Sequence, residues 1–249
     1  MDGHQARPFP GEAYKRQGEV YFNDGRENEL LHFIHEHSLF MDMQGNPQKV
    51  LDAIDEYGRT QKYLMNIGEY KSKTIIDLIK KEKPQIMVEL GGYVGYSAIA
   101  FGMALRDAGG KRYFSLEMNS EFAAIIRELV ALAGLDNIVE VVVGSSSDSL
   151  RRLCEGGKLK HIDLLFLDHY KPAYTTDLKL LVKPGNPLYL EYVRSSSQEK
   201  KRRLSNGHKF GPCGNPNLIY ESRFVEGWEP SGVPASDAVE ITKCTGIEV

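Results

Sequence analysis

Cysteine is scarce in this 249-residue chain. Cys154, Cys213 and Cys244 are odd in number, far apart and in no Cys-x-x-Cys pair. That argues against a disulfide framework or a zinc site and for reduced thiols in the cytosol. Long hydrophobic runs are missing as well. No stretch of eighteen apolar residues occurs and mean hydropathy is -0.37, so no membrane span is expected. The first 27 residues lack the apolar core of a signal peptide. Nor is there an excess of positive charge: 31 Lys and Arg against 34 Asp and Glu give a net charge of -3, unlike a general nucleic-acid binder. No internal repeat is visible. With 41% hydrophobic and 26% charged residues, what is left is one sizeable soluble domain.

Residues 1–26 carry Gly, Pro and charge without periodicity and read as a flexible N-terminal arm; 27–249 read as a single domain. Helical spacing begins at Glu27, with Leu30, Leu31, Ile34 and Leu39 on one side. Asn46 as cap and Pro47 in the first position announce a second helix carrying Val50, Leu51, Ile54 and Tyr57. A third is expected over Glu69–Lys83, ended by Pro84. The period then changes. Ile86–Leu90, Tyr113–Glu117, Ile138–Val143 and Ile162–Asp168 read as buried strands, and Tyr96–Arg106, Ser120–Ala133 and Asp148–Cys154 as the intervening helices. That alternation predicts an α/β fold with a mostly parallel sheet and helices on both faces, its ligand outside the carboxyl ends of the strands. Leu188–Val193 suggests a short helix, and Asn217–Val225 with Ala238–Cys244 an antiparallel hairpin. Gln198–Arg203 (QEKKRR) reads as a solvated loop, since no aromatic residue interleaves the charges.

The first strand runs into Glu89-Leu90-Gly91-Gly92-Tyr93-Val94-Gly95. The dinucleotide fingerprint Gly-x-Gly-x-x-Gly fails because Leu90 stands where its first glycine would be. An acid inside the strand end suits a ligand with an amino-acid group rather than a pyrophosphate. Glu89 can meet an ammonium while Gly91 lets the backbone approach closely. A glycine turn needed only for packing is the plain alternative. Glu117 closes the second strand, 22 residues after Gly95, where an acid accepts hydrogen bonds from ribose hydroxyls. Gly144-Ser145-Ser146-Ser147 can meet an adenine edge or form a plain turn. Together the three strand ends read as an S-adenosylmethionine (SAM) site.

Strand four delivers Leu167-Asp168-His169-Tyr170-Lys171, and here the sequence resembles the catechol O-methyltransferase family. Further matching pieces are Asn46–Tyr57, Met65-Asn66-Ile67-Gly68, Glu89–Ala98, Leu116-Glu117-Met118-Asn119, Ala133-Gly134-Leu135, Lys183-Pro184-Gly185-Asn186-Pro187 and Tyr192-Val193-Arg194. The likeness spans residues 27–246. It implies a Rossmann-like SAM-dependent methyltransferase fold, with methyl transfer from SAM to a catechol hydroxyl and Mg²⁺ holding both oxygens. By the same resemblance, Met65, Gly68, Glu89, Gly91, Tyr93, Ser97, Glu117, Met118 and Ser146 line the cofactor site. Asp168 lies there as the metal ligand, His169 flanks the adenine, Lys171 takes the catechol proton and Glu221 accepts from the second hydroxyl. Without the resemblance, Lys171 would read as a surface lysine and His169 as a structural histidine. The triplet His32, His35 and His37 lies away from the strand ends and reads as structural. The resemblance implies a small-molecule catechol as substrate; thiol usage, charge and hydropathy point to a cytoplasmic protein without nucleic-acid or membrane partners, expected to be a monomer.

Three departures stand out. Ser147 replaces a frequent glutamine and Tyr170 a tryptophan. The third is larger: Lys179-Leu180-Leu181-Val182 runs straight into the Pro184 loop, without the fifth strand or the Asp-Asn pair that would complete the metal site. No apolar β-branched run between Asp168 and Asn217 could supply that strand. Asp168 alone is a weak Mg²⁺ site. Asp177 or Glu191 could stand in, but nothing in their spacing singles them out. A shortened product of an active gene, a catalytically silent SAM-binding protein, and a sheet closed by a different pairing all accommodate the gap. An NAD-dependent oxidoreductase is disfavoured by Leu90.

Overall fold

The computed structural model describes residues 11–169, 196, 198–199, 201–202, 217–232 and 238–247. Four helices come first: α1 (Arg26–His35), α2 (Phe40–Met43), α3 (Pro47–Thr60) and α4 (Gly68–Glu82). Asn46 caps α3 as expected, its Oδ1 accepting from the Lys49 N–H, with Pro47 at the first position. Leu39 departs from expectation. Helix α1 stops at His35, and Leu39 stands half exposed as the cap residue of the short α2, which the sequence did not signal.

Strand and helix then alternate through β1 (Ile86–Leu90), α5 (Tyr96–Asp107), β2 (Arg112–Glu117), α6 (Ser120–Leu132), β3 (Val139–Val143), α7 (Ser146–Glu155) and β4 (Leu164–Leu167). All three pairings are parallel and the order is β3-β2-β1-β4. The chain therefore steps outward from β1 through β2 to β3, then returns to the other side of β1. The point of reversal lies between β1 and β4, where an open α/β sheet leaves a crevice at its carboxyl ends.

Side-chain parity divides the sheet into two faces. Val88, Leu90, Phe114 and Leu116 point toward Leu150, Leu153 and Leu159, on and just beyond α7. Met87 and Tyr113 point the other way, into the larger core built with α1, α3, α4, α5 and α6. Glu89 and Ser115 share that second parity, so a carboxyl enters the larger core. Each large apolar side chain buried here contributes about 1.5–3 kcal/mol, enough in sum to hold a carboxyl away from bulk solvent.

Beyond the parallel sheet, β5 (Leu218–Glu226) and β6 (Ala238–Ile247) form the expected antiparallel hairpin, β5 shifted by one residue and β6 extended by three, with an irregularity at Ile219/Tyr220. Among the described residues it is a separate two-stranded sheet, and no strand bridges it to β4. It is tied instead to α4, by Lys243 to Glu82 at 3.0 Å and, just beyond β5, by Glu229 to Lys71 at 3.2 Å. Residues 11–25 form neither helix nor strand but are fastened to the domain. Tyr14 is buried, and its N–H donates to the Pro230 carbonyl. The Leu188–Val193 helix and the Pro184 loop lie outside the described residues, as does Cys213.

Candidate active site

The crevice between β1 and β4 is closed at its base by backbone. The Asp168 N–H donates to the Leu90 carbonyl, and the Gly91 N–H to Leu116. Gly91 has φ +88°, and a Cβ there would lie 2.8 Å from the Asp168 carbonyl oxygen and from His169 Cα. Glycine is thus required twice, for the left-handed backbone and for the close approach of two strand ends. Gly91→Ala is expected to lower stability by about 2 kcal/mol more than Gly109→Ala, where φ is +83° but the space is open. Thermal unfolding of both variants checks this; equal losses would mean the strand ends have room to part.

Glu117 was expected to face a ribose. Its carboxylate is engaged with the turn itself: Oε2 accepts from the Gly92 and Tyr93 N–H groups at 3.0 Å each, and Oε1 from Asn119 N–H at 2.8 Å. A carboxylate has about four lone-pair sites, so roughly one remains, on Oε1. That suits a single hydroxyl donor rather than two.

Glu89 is fully buried. Its Oε2 accepts from Ser115 Oγ at 2.6 Å, and its Oε1 has no hydrogen-bond partner, as is also true of the neighbouring Tyr113 hydroxyl. Burial pushes the carboxyl up to about 7, the Ser115 hydroxyl pulls against that, and the Asp168 charge adds to it.

Other residues singled out from the sequence fall around this centre. Tyr93 and Ser97 are buried in the turn and the first turn of α5, Tyr93 donating its hydroxyl to Glu27 at 2.9 Å. Met118 follows Glu117 and is 75% exposed. Ser146 opens α7, which begins two residues earlier than expected because the Ser145 hydroxyl caps it by accepting from the Asp148 N–H. Met65 lies in the loop before α4, and Gly68 sits against Pro230. Glu221 is exposed in mid-β5 opposite Lys243, in the hairpin rather than the parallel sheet. Lys171 lies outside the described residues.

The described donors do not make a Mg²⁺ site. Asp168 is one carboxylate, and among the described residues no three His, Cys, Asp or Glu side chains converge as metal ligands. The histidine triplet is dispersed, His32 to Glu36, His35 to Glu128 and His37 to Glu56. Sequence reading missed Ser115 and Tyr113, the polar neighbours of Glu89, and the Asp55–Tyr96 pair behind the turn. Parity was the available signal for the first two: Ser115 is the β2 partner of Glu89 in register.

The comparisons agree with this geometry. A family model described as a methyltransferase domain matches residues 88–185. Bovine (Bos taurus) catechol O-methyltransferase is 33% identical over 196 residues, covering 72% of this chain and 70% of its own. Catechol O-methyltransferase B of Danio rerio is 34% identical over 192 residues, covering 70% of each. Among solved structures, the O-methyltransferase of Bacillus cereus in complex with SAH superposes with a TM-score of 0.51 at 21% identity, covering 79% of this chain and 88% of that one, which supports the Rossmann-like methyltransferase fold. The chain belongs to the catechol O-methyltransferase family.

Proposed function

We propose that the chain transfers the methyl group of SAM to a hydroxyl of a catechol. The observation that carries this reading is Glu89, a fully buried carboxyl with an unpaired oxygen beside the glycine turn at the switch point of the sheet. It suits the ammonium of the cofactor's amino-acid part. Gly91 offers the backbone approach, Glu117 Oε1 one acceptor for the ribose, and Met65, Gly68, Tyr93, Ser97, Met118, Ser146, Asp168 and His169 the surrounding walls.

The cofactor supplies a methyl group on a sulfonium, an in-line transfer whose rate depends on alignment. A catechol hydroxyl ionises near 10, as tyrosine does, so a base beside it helps. We assign that base to Lys171 and the acceptor for the second hydroxyl to Glu221. The donors among the described residues do not make a Mg²⁺ site, so completing one falls to residues outside them. Among the described residues no helix is long and apolar enough to cross a membrane. We place the protein in the cytosol as a monomer acting on a small molecule.

Labelled-methyl transfer from SAM to a simple catechol, with Mg²⁺ and then with chelator, tests the reading. Turnover abolished by chelator is the expected result and would mean that residues beyond Asp168 complete a metal site. SAM binding without turnover would instead make the chain a silent member of its family.

A further inference from the structure

Tyr14 comes from the segment without regular structure, yet it reaches the centre of the domain. Its ring lies on Gly58 of α3, where a Cβ would sit 2.7–2.8 Å from three ring carbons. The backbone is fixed on both sides: Tyr14 N–H donates to the Pro230 carbonyl at 2.9 Å, and Lys15 N–H to Gly58 at 2.8 Å. The phenol donates to Asp55 Oδ1, and Asn66 Nδ2 donates to the phenol oxygen at 3.3 Å. Asp55 Oδ2 accepts from the Tyr96 hydroxyl at 3.0 Å. Asp55, Asn66, Tyr14 and Tyr96 are all buried.

Those contacts join four segments that chain order keeps apart. Asn66 belongs to the Met65–Gly68 loop and Tyr96 opens α5 directly after the glycine turn. Asp55 accepts directly from the Tyr96 hydroxyl and reaches Asn66 through the Tyr14 phenol. We propose that Tyr14 is a positioning residue for the cofactor site, a latch that holds the Met65–Gly68 loop and the start of α5 in register with each other. The inference rests on reading the site as a SAM site and adds residues 11–15 to its supporting frame. The environment of Asp55 fits the role. Burial pushes its carboxyl up to about 6, the Tyr14 and Tyr96 hydroxyls and Arg59 pull it down, and Glu69 pushes it up, so each phenol helps keep it charged and accepting.

Two full-chain variants test the latch from opposite sides. Tyr14→Phe removes only the hydroxyl. Gly58→Ala leaves every polar group in place and crowds the ring out of its seat. Ile79→Val, a core change in α4 outside the network, sets the level that lost stability alone produces. Hydrogen exchange without ligand is expected to quicken about tenfold in residues 63–68 and 91–97 of both latch variants, the size of one lost hydrogen bond to a charged group. SAM binding should weaken about five- to tenfold in both and stay within twofold in Ile79→Val. Exchange no faster than in Ile79→Val would overturn the latch. Faster exchange with unchanged SAM affinity would overturn its role toward the cofactor. A wild-type chain that binds no SAM would defeat the reading of the site itself, and the exchange comparison would still decide whether Tyr14 holds the loop.

Discussion

Glu117→Ala is expected to lower the Tm by roughly 6–20 °C and to weaken SAM binding about a hundredfold. The stability loss follows from the three backbone N–H groups, of Gly92, Tyr93 and Asn119, that the carboxylate accepts. Hydrogen bonds to a charged group contribute about 1.5–3 kcal/mol each. Water at the rim will recover part of that, since Glu117 is not fully enclosed, leaving a net cost of about 3–5 kcal/mol. In a domain of this size each kcal/mol moves the Tm by about 2–4 °C. The binding loss has two sources, the missing acceptor at Oε1 and a glycine turn no longer held in shape. Thermal unfolding and calorimetric titration with SAM separate them. Weaker binding at an unchanged Tm would mean the carboxylate serves the ligand alone. A lowered Tm with unchanged affinity would mean it serves only the turn.

That double duty marks the limit of what the sequence reveals. The spacing from Gly95 to Glu117 was enough to place the acid at the end of β2. It could not show that the same oxygens already hold the turn, because those partners are backbone groups that any residue carries. The parallel sheet was readable for a related reason: buried strands write their period directly into the residues, and each of the four appears within two residues of its expected bounds. Long-range polar contacts leave no such trace. Tyr14 and Asp55 are 41 residues apart in segments of unrelated pattern, and nothing in the arm's composition signals that one side chain is buried. The gap before the Pro184 loop falls on residues outside the described ones; among the described residues β4 and the hairpin belong to separate sheets. Beside the packing of Val239 on the larger core, part of what joins the hairpin to the domain is a pair of salt bridges, Lys243 with Glu82 and Glu229 with Lys71. Such residues look alike wherever they occur in a sequence.

Glu89→Gln is expected to make the protein more stable and worse at its task. At pH 8 the wild-type chain must keep a carboxylate charged in a site closed to bulk solvent, with one oxygen unpaired. The carboxyl is raised from 4.5 to about 7, so folding above pH 7 carries a cost of roughly 3 kcal/mol from this group. Between about pH 4.5 and 7 the folded state keeps a proton that the unfolded chain has released. The cost therefore fades as pH falls through 7, and stability rises with acidification in that window. Asp55, raised to about 6, contributes a smaller slope of the same sign. A glutamine removes the charge, can still accept from Ser115, and can donate its amide to the unpaired Tyr113 hydroxyl. The Tm at pH 8 should rise by roughly 5–10 °C, and the gain of wild type between pH 8 and 6 should shrink to the Asp55 remainder. SAM affinity should fall about ten- to a hundredfold, because the cationic group loses its charged acceptor. A variant with wild-type Tm and wild-type pH dependence would show that Glu89 carries no burial cost. A stabilised variant that still binds SAM as tightly would move the ammonium contact to another residue. Both results together, higher stability and weaker binding, would identify Glu89 as a group kept for the ligand at the expense of the fold.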